Sequence, residues 1–191
     1  MKIKVSFFCI VMVFALVITH SYLSLAALVA AAVHELGHIV AAKLCGIELK
    51  EMKLDIFGAA LTPQKALCSY KSEMILASGG PLINIVSSLF LFLFFDVLGE
   101  NVRLFAVASL FLGVLNLLPV QDFDGGRILY CAMAQGISED VALSMSKYIS
   151  MITAFLLWLL SVYLLLKIGV SLSLFVFSFA LLCRIFAQCK V

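Results

Sequence analysis

The chain has 191 residues, 64% hydrophobic and 13% charged, with a mean hydropathy of +1.19. A soluble domain would be roughly half apolar and about one quarter charged, so this composition describes an integral membrane protein and excludes a soluble enzyme. A formal charge of +2, with no basic block, excludes a nucleic-acid partner.

Six spans of about 20 residues are expected, making an all-α polytopic membrane protein. The first runs from about Val5 to Thr19, behind Lys2 and Lys4. His20-Ser21-Tyr22 lacks a small-x-small cleavage site, so this run reads as an uncleaved span, with His20 at the membrane edge. The second covers about Leu23–Leu44, the third Met74–Leu98, the fourth Val102–Pro119, the fifth Tyr148–Leu166 and the sixth Val170–Ala187. With the N-terminus cytoplasmic, that side holds Lys2, Lys4, Lys43, Lys50, Lys53, Lys65, Lys71, Arg127, Lys147, Arg184 and Lys190. The other side holds only Arg103 and Lys167. This bias puts both termini in the cytoplasm. Between the second and third spans, Ile47–Ile56 alternates partly between apolar and polar, with a turn signal at Gly58. A short membrane-associated β-hairpin fits this pattern, and an ordinary connection fits it equally well.

The second span carries His34-Glu35-Leu36-Gly37-His38. On a helix, the two histidines lie one turn apart on one face and can share a metal, with Glu35 placed to take a proton from water. Between Val5 and Ala42 the only charged residue is Glu35, so the motif is submerged in apolar sequence. His34 precedes Lys43 by nine residues, which places it roughly 13 Å from the cytoplasmic end of its helix. A catalytic zinc needs a third protein ligand. After the fourth span, Asn116-Leu117-Leu118-Pro119-Val120-Gln121-Asp122-Phe123-Asp124-Gly125-Gly126 reads as a helix break carrying acids, and spacing does not choose between Asp122 and Asp124. The six cysteines contain no C-x-x-C pair, and most read as core thiols.

These motifs resemble the site-2 protease family of intramembrane zinc metalloproteases, peptidase family M50. That family pairs H-E-x-x-H with a later N-x-x-P-x-x-x-x-D-G, matched here by His34, Glu35, His38, Asn116, Pro119, Asp124 and Gly125. A glycine- and proline-rich third span is matched by Gly79-Gly80-Pro81-Leu82-Ile83-Asn84. The resemblance implies one Zn²⁺ per chain on His34, His38 and Asp124, with Glu35 as catalytic base. Asn84 and Asn116 are implied in substrate binding or oxyanion stabilisation. Many relatives have a proline- and aliphatic-rich stretch where this chain has Gln121-Asp122-Phe123, and a solvated Asp122 is the simplest expectation.

The resemblance further implies a single domain over residues 1–191, with a zinc-bearing core at about 23–130 and extra helices at about 5–19, 148–166 and 170–187. No PDZ or CBS module is expected. The implied substrate is a transmembrane segment of another membrane protein, with regulation by a membrane-protein partner. The compact layout is similar to the sporulation branch, that of the stage IV sporulation protein FB, whose members release a membrane-tethered sigma factor; this implies a bacterial cell membrane. The competing readings are an ion or metal transporter and a pseudoprotease that binds membrane proteins without cutting them. Gly79-Gly80-Pro81 reads as close helix packing and Arg127 as a topology anchor.

Overall fold

The computed structural model describes residues 2–5, 21–47, 49–55, 58–63, 69–168 and 172–189. The expected first span and His20 lie outside the described residues. The chain divides into two units, Met1–Leu117 and Leu118–Val191.

The first unit holds strands β1 (Lys2–Val5), β2 (Leu49–Asp55) and β3 (Gly58–Pro63), and helices α1 (Tyr22–Leu44), α2 (Tyr70–Phe92) and α3 (Glu100–Asn116). Alternation after the second expected span does form a hairpin: β2 pairs antiparallel with β3, from Leu49 opposite Pro63 to Asp55 opposite Gly58. Gly58 begins the second strand rather than occupying the turn. An unexpected third strand, β1, pairs parallel with β2, with Lys2 opposite Glu51 and Val5 opposite Leu54. A parallel partner contributed from before α1 is a non-local pairing, which no local pattern reveals.

Helix α1 ends where Gly46 takes a left-handed φ of 66°. There Gly46 N–H donates to the Lys43 carbonyl (3.1 Å) and Ile47 N–H to the Ala42 carbonyl (2.8 Å), covering carbonyls the helix leaves open. Its buried face is a row of small and polar residues, Ala26, Ala30, His34, Gly37, His38, Ala41 and Ala42. The facing row on α2 is Leu76, Ala77, Gly80, Pro81, Asn84 and Ser88, and that on α3 is Ala106, Ser109 and Gly113. Lipid tails are as apolar as leucine, so close approach of small residues and interhelical hydrogen bonds must hold these helices together. A Cβ on Gly79 would come within 2.6 Å of both the Ala41 Cβ and the Gly37 carbonyl oxygen, and one on Gly37 would overlap the Gly79 carbonyl. Helices α1 and α2 therefore touch backbone to backbone. Ser88 Oγ donates to the Ala106 carbonyl (2.6 Å) and Ser109 Oγ to the Asn84 carbonyl (3.3 Å), which ties α3 to α2.

The second unit holds α4 (Asp124–Ala134), α5 (Glu139–Ile168) and α6 (Leu172–Cys189). Helix α4 was not expected. Glycines after Asp124 favour a turn locally, yet the helix continues through them. Helix α5 opens with Glu139 and Asp140, which suit the positive end of a helix dipole. Its buried Ser161 meets Ser178 of α6, oxygen to oxygen at 2.7 Å. Three described helices are long and apolar enough to cross a membrane: Tyr22–Leu44, Tyr70–Phe92 and Glu139–Lys167. The expected fourth span corresponds to the 17-residue α3, about 25 Å long, which starts two residues earlier and ends three residues before Pro119. The expected sixth contains a shorter apolar stretch, Leu174–Ala187.

Replacing Gly79 with Val should lower stability by about 1–3 kcal/mol, because its side chain must displace backbone. Gly99→Ala, where nothing lies within 4 Å of the new Cβ, should be close to neutral. Thermal unfolding of both variants in detergent tests the contrast; equal melting would show that the α1–α2 crossing is not limiting.

Candidate metal centre

His34, Glu35 and His38 sit on adjacent turns of α1. Both histidines are buried, at 6% and 4% exposure, inside a helix whose outer face is apolar. Their Nε2 atoms converge to 3.2 Å and their rings stand nearly perpendicular, at 84°. Two imidazoles held about 2.05 Å from a tetrahedral zinc would place their nitrogens about 3.3 Å apart. The pair has the spacing of one edge of such a site.

The helix behind the pair determines which nitrogen is available. His38 Nδ1 lies 2.8 Å from the Leu76 carbonyl, an acceptor only, so Nδ1 carries the proton and Nε2 the lone pair. The Gly80 N–H lies 3.4 Å from the same Nδ1, and the shorter carbonyl contact governs the tautomer. One turn further along α2, the fully buried Asn84 places its amide 3.4 Å from His34 Nδ1. Asn84 Oδ1 has no partner among the described residues. A half-turn of this amide exchanges its nitrogen and oxygen positions, and Oδ1 then accepts from His34 Nδ1–H. In that orientation each Nε2 carries a lone pair, and the two nitrogens lie 3.2 Å apart.

Between Leu76 and Asn84 lies Gly80, the residue that makes room. A Cβ there would overlap His38 Nε2 and come within 2.7 Å of His34 Nε2. A cradle of two convergent lone pairs, with a missing side chain opposite them, fits a small cation bound by neutral nitrogens. Reading Gly79-Gly80-Pro81 as helix packing holds for Gly79 and misses Gly80. A glycine run reveals close approach, and only the fold shows what approaches.

Glu35 is half-buried, and one of its carboxylate oxygens is fully screened from solvent. Asn116 is the last residue of α3, and its amide nitrogen donates to the Leu112 carbonyl of its own helix at 3.0 Å.

The other sequence-predicted ligand belongs to the second unit. Asp124 is the first residue of α4, following Phe123 in extended conformation (φ −104°, ψ 163°). An acid in this first turn is favoured by the helix dipole, and Asp124 is buried, at 8% exposure. The turn before it is tight: Val120 N–H donates to the Leu118 carbonyl (2.7 Å) and Phe123 N–H to the Val120 carbonyl (2.8 Å). The Val120 carbonyl occupies the space a Cβ on Gly126 would need, which explains the second glycine of Asp-Gly-Gly. Asp122 is not solvated as expected. Its carboxylate lies 3.1 Å from the Arg184 guanidinium of α6, with 13% of its side chain exposed. A lone arginine in an otherwise apolar last helix was the available signal for this partner.

Residues 7–185 match a family described as Peptidase M50B-like. The chain is 29% identical, over 159 residues, to the zinc metalloprotease MJ0392 of Methanocaldococcus jannaschii, covering 78% of this chain and 45% of that protein. A relative from Synechocystis sp. is 30% identical over 106 residues, 50% of this chain and 27% of its own length. The chain thus spans less than half the length of these relatives. Among solved structures, the site-2 protease from Methanocaldococcus jannaschii shares the fold, with a TM-score of 0.70 and 21% identity, covering 100% of this chain and 93% of that one. The extent of the family match, together with the paired histidines of α1, makes this chain a member of the M50B-like peptidase family.

Proposed function

We propose that this protein is a zinc-dependent intramembrane endopeptidase that cleaves transmembrane segments of other membrane proteins. The observation that carries the reading is the buried Nε2 pair of His34 and His38, oriented from behind by Leu76 and Asn84 and flanked by Glu35. Membership of a peptidase family supplies the reaction class.

His34 and His38 hold the zinc in this reading, and Asp124 supplies the third ligand. Support for Asp124 comes from its place in the N-x-x-P-x-x-x-x-D-G motif and its burial at a helix start. When bound, zinc would supply Lewis acidity toward a scissile carbonyl and would make a neighbouring water more acidic. Glu35 would serve as the general base, holding a proton for return to the leaving amine. Asn84 serves by orienting His34 rather than by touching substrate, since it lies on the Nδ1 side of the ring. Asn116 uses one amide hydrogen within its own helix, and its oxygen remains for a substrate backbone N–H.

A transmembrane helix must unwind to present an amide, and an unwound segment needs partners for its own backbone. The β1-β2-β3 sheet has edges at β1 and β3, and strand addition at one of them would hold such a segment. Lysine and arginine placement argues for cytoplasmic termini, the compact layout for a bacterial membrane, and the pairing of β1 with β2 supports putting the N-terminus on the same side as the α1–α2 connection. A membrane-tethered transcription factor is the substrate class we favour, with a membrane protein as regulator.

Glu35→Gln should reduce cleavage by about 100- to 10,000-fold, the usual worth of a general base, while zinc content stays at one per chain. The test compares new N-termini in membranes of cells carrying each form, and cleavage at the native rate would remove Glu35 from the mechanism. Asp124→Asn should weaken zinc retention by more than the roughly 10- to 100-fold typical of losing an outer partner. Unchanged zinc content in this variant would leave Asp124 outside the site. Gly80→Ala should abolish zinc binding with helical circular dichroism intact, because the new methyl group occupies the space of the two imidazole nitrogens. Full zinc occupancy in Gly80→Ala would show that the metal lies elsewhere.

A further inference from the structure

The turn that delivers Asp124 carries a second acid that the proposed mechanism does not use. Asp122 is largely buried, two residues before the proposed ligand, and it offers the same kind of oxygen donor. Left to itself it would be a hazard: it could compete for the cation, and it would repel the Asp124 carboxylate. The structure gives it a counter-ion. Arg184 is the only charged residue between Leu172 and Cys189, and an arginine in so apolar a helix is costly unless paired. Its Nε lies 3.1 Å from Asp122 Oδ2, an ion pair whose angle falls outside hydrogen-bond geometry. The turn backbone is pinned at Val120, which is fully buried, through its hydrogen bond from Phe123 and its contact with Gly126. That pinning constrains the main chain and leaves the Asp122 side chain to be placed by Arg184.

We propose that Arg184 assigns the two acids of this turn to separate tasks, holding Asp122 as its counter-ion and leaving Asp124 as the single anionic ligand of the metal. This inference rests on the zinc reading above. Arg184 is a positioning residue: it acts through Asp122 and touches neither metal nor substrate. Guanidinium suits the task because it stays charged at any working pH. The arrangement also accounts for a sequence that differs from the proline- and aliphatic-rich stretch expected here: an extra acid in this position requires a cation to restrain it.

The test uses the full chain purified in detergent and follows zinc loss to an excess of chelator. Arg184→Gln should lose zinc about 10- to 100-fold faster than the native chain, the range for disturbing a supporting partner. Adding Asp122→Asn to that variant should return the rate to within about threefold of native, because the competing acid is gone. A purely structural ion pair predicts the opposite, a double variant as impaired as Arg184→Gln alone. The double variant also guards against misfolding, since removing both partners leaves no unpaired buried charge. Native zinc loss in Arg184→Gln, or no recovery in the double variant, overturns the proposal. The native chain and His34→Ala serve as controls. A native chain that holds no zinc fails at the underlying reading, and a native chain that holds zinc with Arg184 immaterial fails at this inference alone.

Discussion

Everything in the first unit depends on the backbone contact between Gly37 and Gly79. These residues let α1 and α2 approach until main-chain atoms touch, and that approach sets the registration of the two helices. With Gly37 and Gly79 in contact, the next α2 residue, Gly80, faces the imidazole nitrogens. One turn on either side, the Leu76 carbonyl reaches His38 and the Asn84 amide reaches His34. A shift of one residue along α2 would put Ile83 or Ile85 in place of Asn84. The placement of the two imidazoles is therefore a consequence of helix packing, and Gly37, Gly79 and Gly80 are what permit it.

The membrane sharpens each of these requirements. Water cannot satisfy a misplaced imidazole in hydrocarbon, so each ring nitrogen of the pair must face either a protein partner or a cation. The Nδ1 atoms are met by α2, which leaves the two Nε2 atoms turned toward each other and toward the place a cation would take. The same logic governs the turn before α4. There an acid that little solvent reaches is paired with the one arginine of α6, and the acid beside it opens a helix whose dipole favours negative charge.

Much of this is legible in the chain itself. The histidine pair and the adjacent glutamate are carried by a motif whose spacing reflects helix geometry, whereas Asp124 is singled out from Asp122 only by the resemblance to a family motif. Alternation in residues 47–56 is a sound guide to the β2–β3 hairpin. Other features are illegible for identifiable reasons. Strand β1 pairs with a segment far away in sequence, and no local signal marks such a partner. Helix α4 begins on Asp-Gly-Gly, whose intrinsic preference is for a turn, and packing of Gly126 under the Val120 carbonyl overrides it. Helix α3 is offset toward the N-terminus from its expected run, ending at Asn116 ahead of Pro119. Asp122 reads as solvated because its neighbours in sequence say nothing of an arginine on the last helix.

By itself, the sequence determined the environment and the motif: composition dictates a membrane protein, and an i, i+4 histidine pair with an adjacent glutamate is the pattern of a metal-and-base site. These are properties of composition and of one helical turn, so they survive without knowledge of the fold. Only the tertiary structure decided the histidine tautomers, the role of Gly80, the place of Asn84 behind His34 and the pairing of Asp122 with Arg184. Each of those depends on which residue of one helix stands opposite which residue of another, and that registration is set by close packing across the helices rather than by any pattern within them.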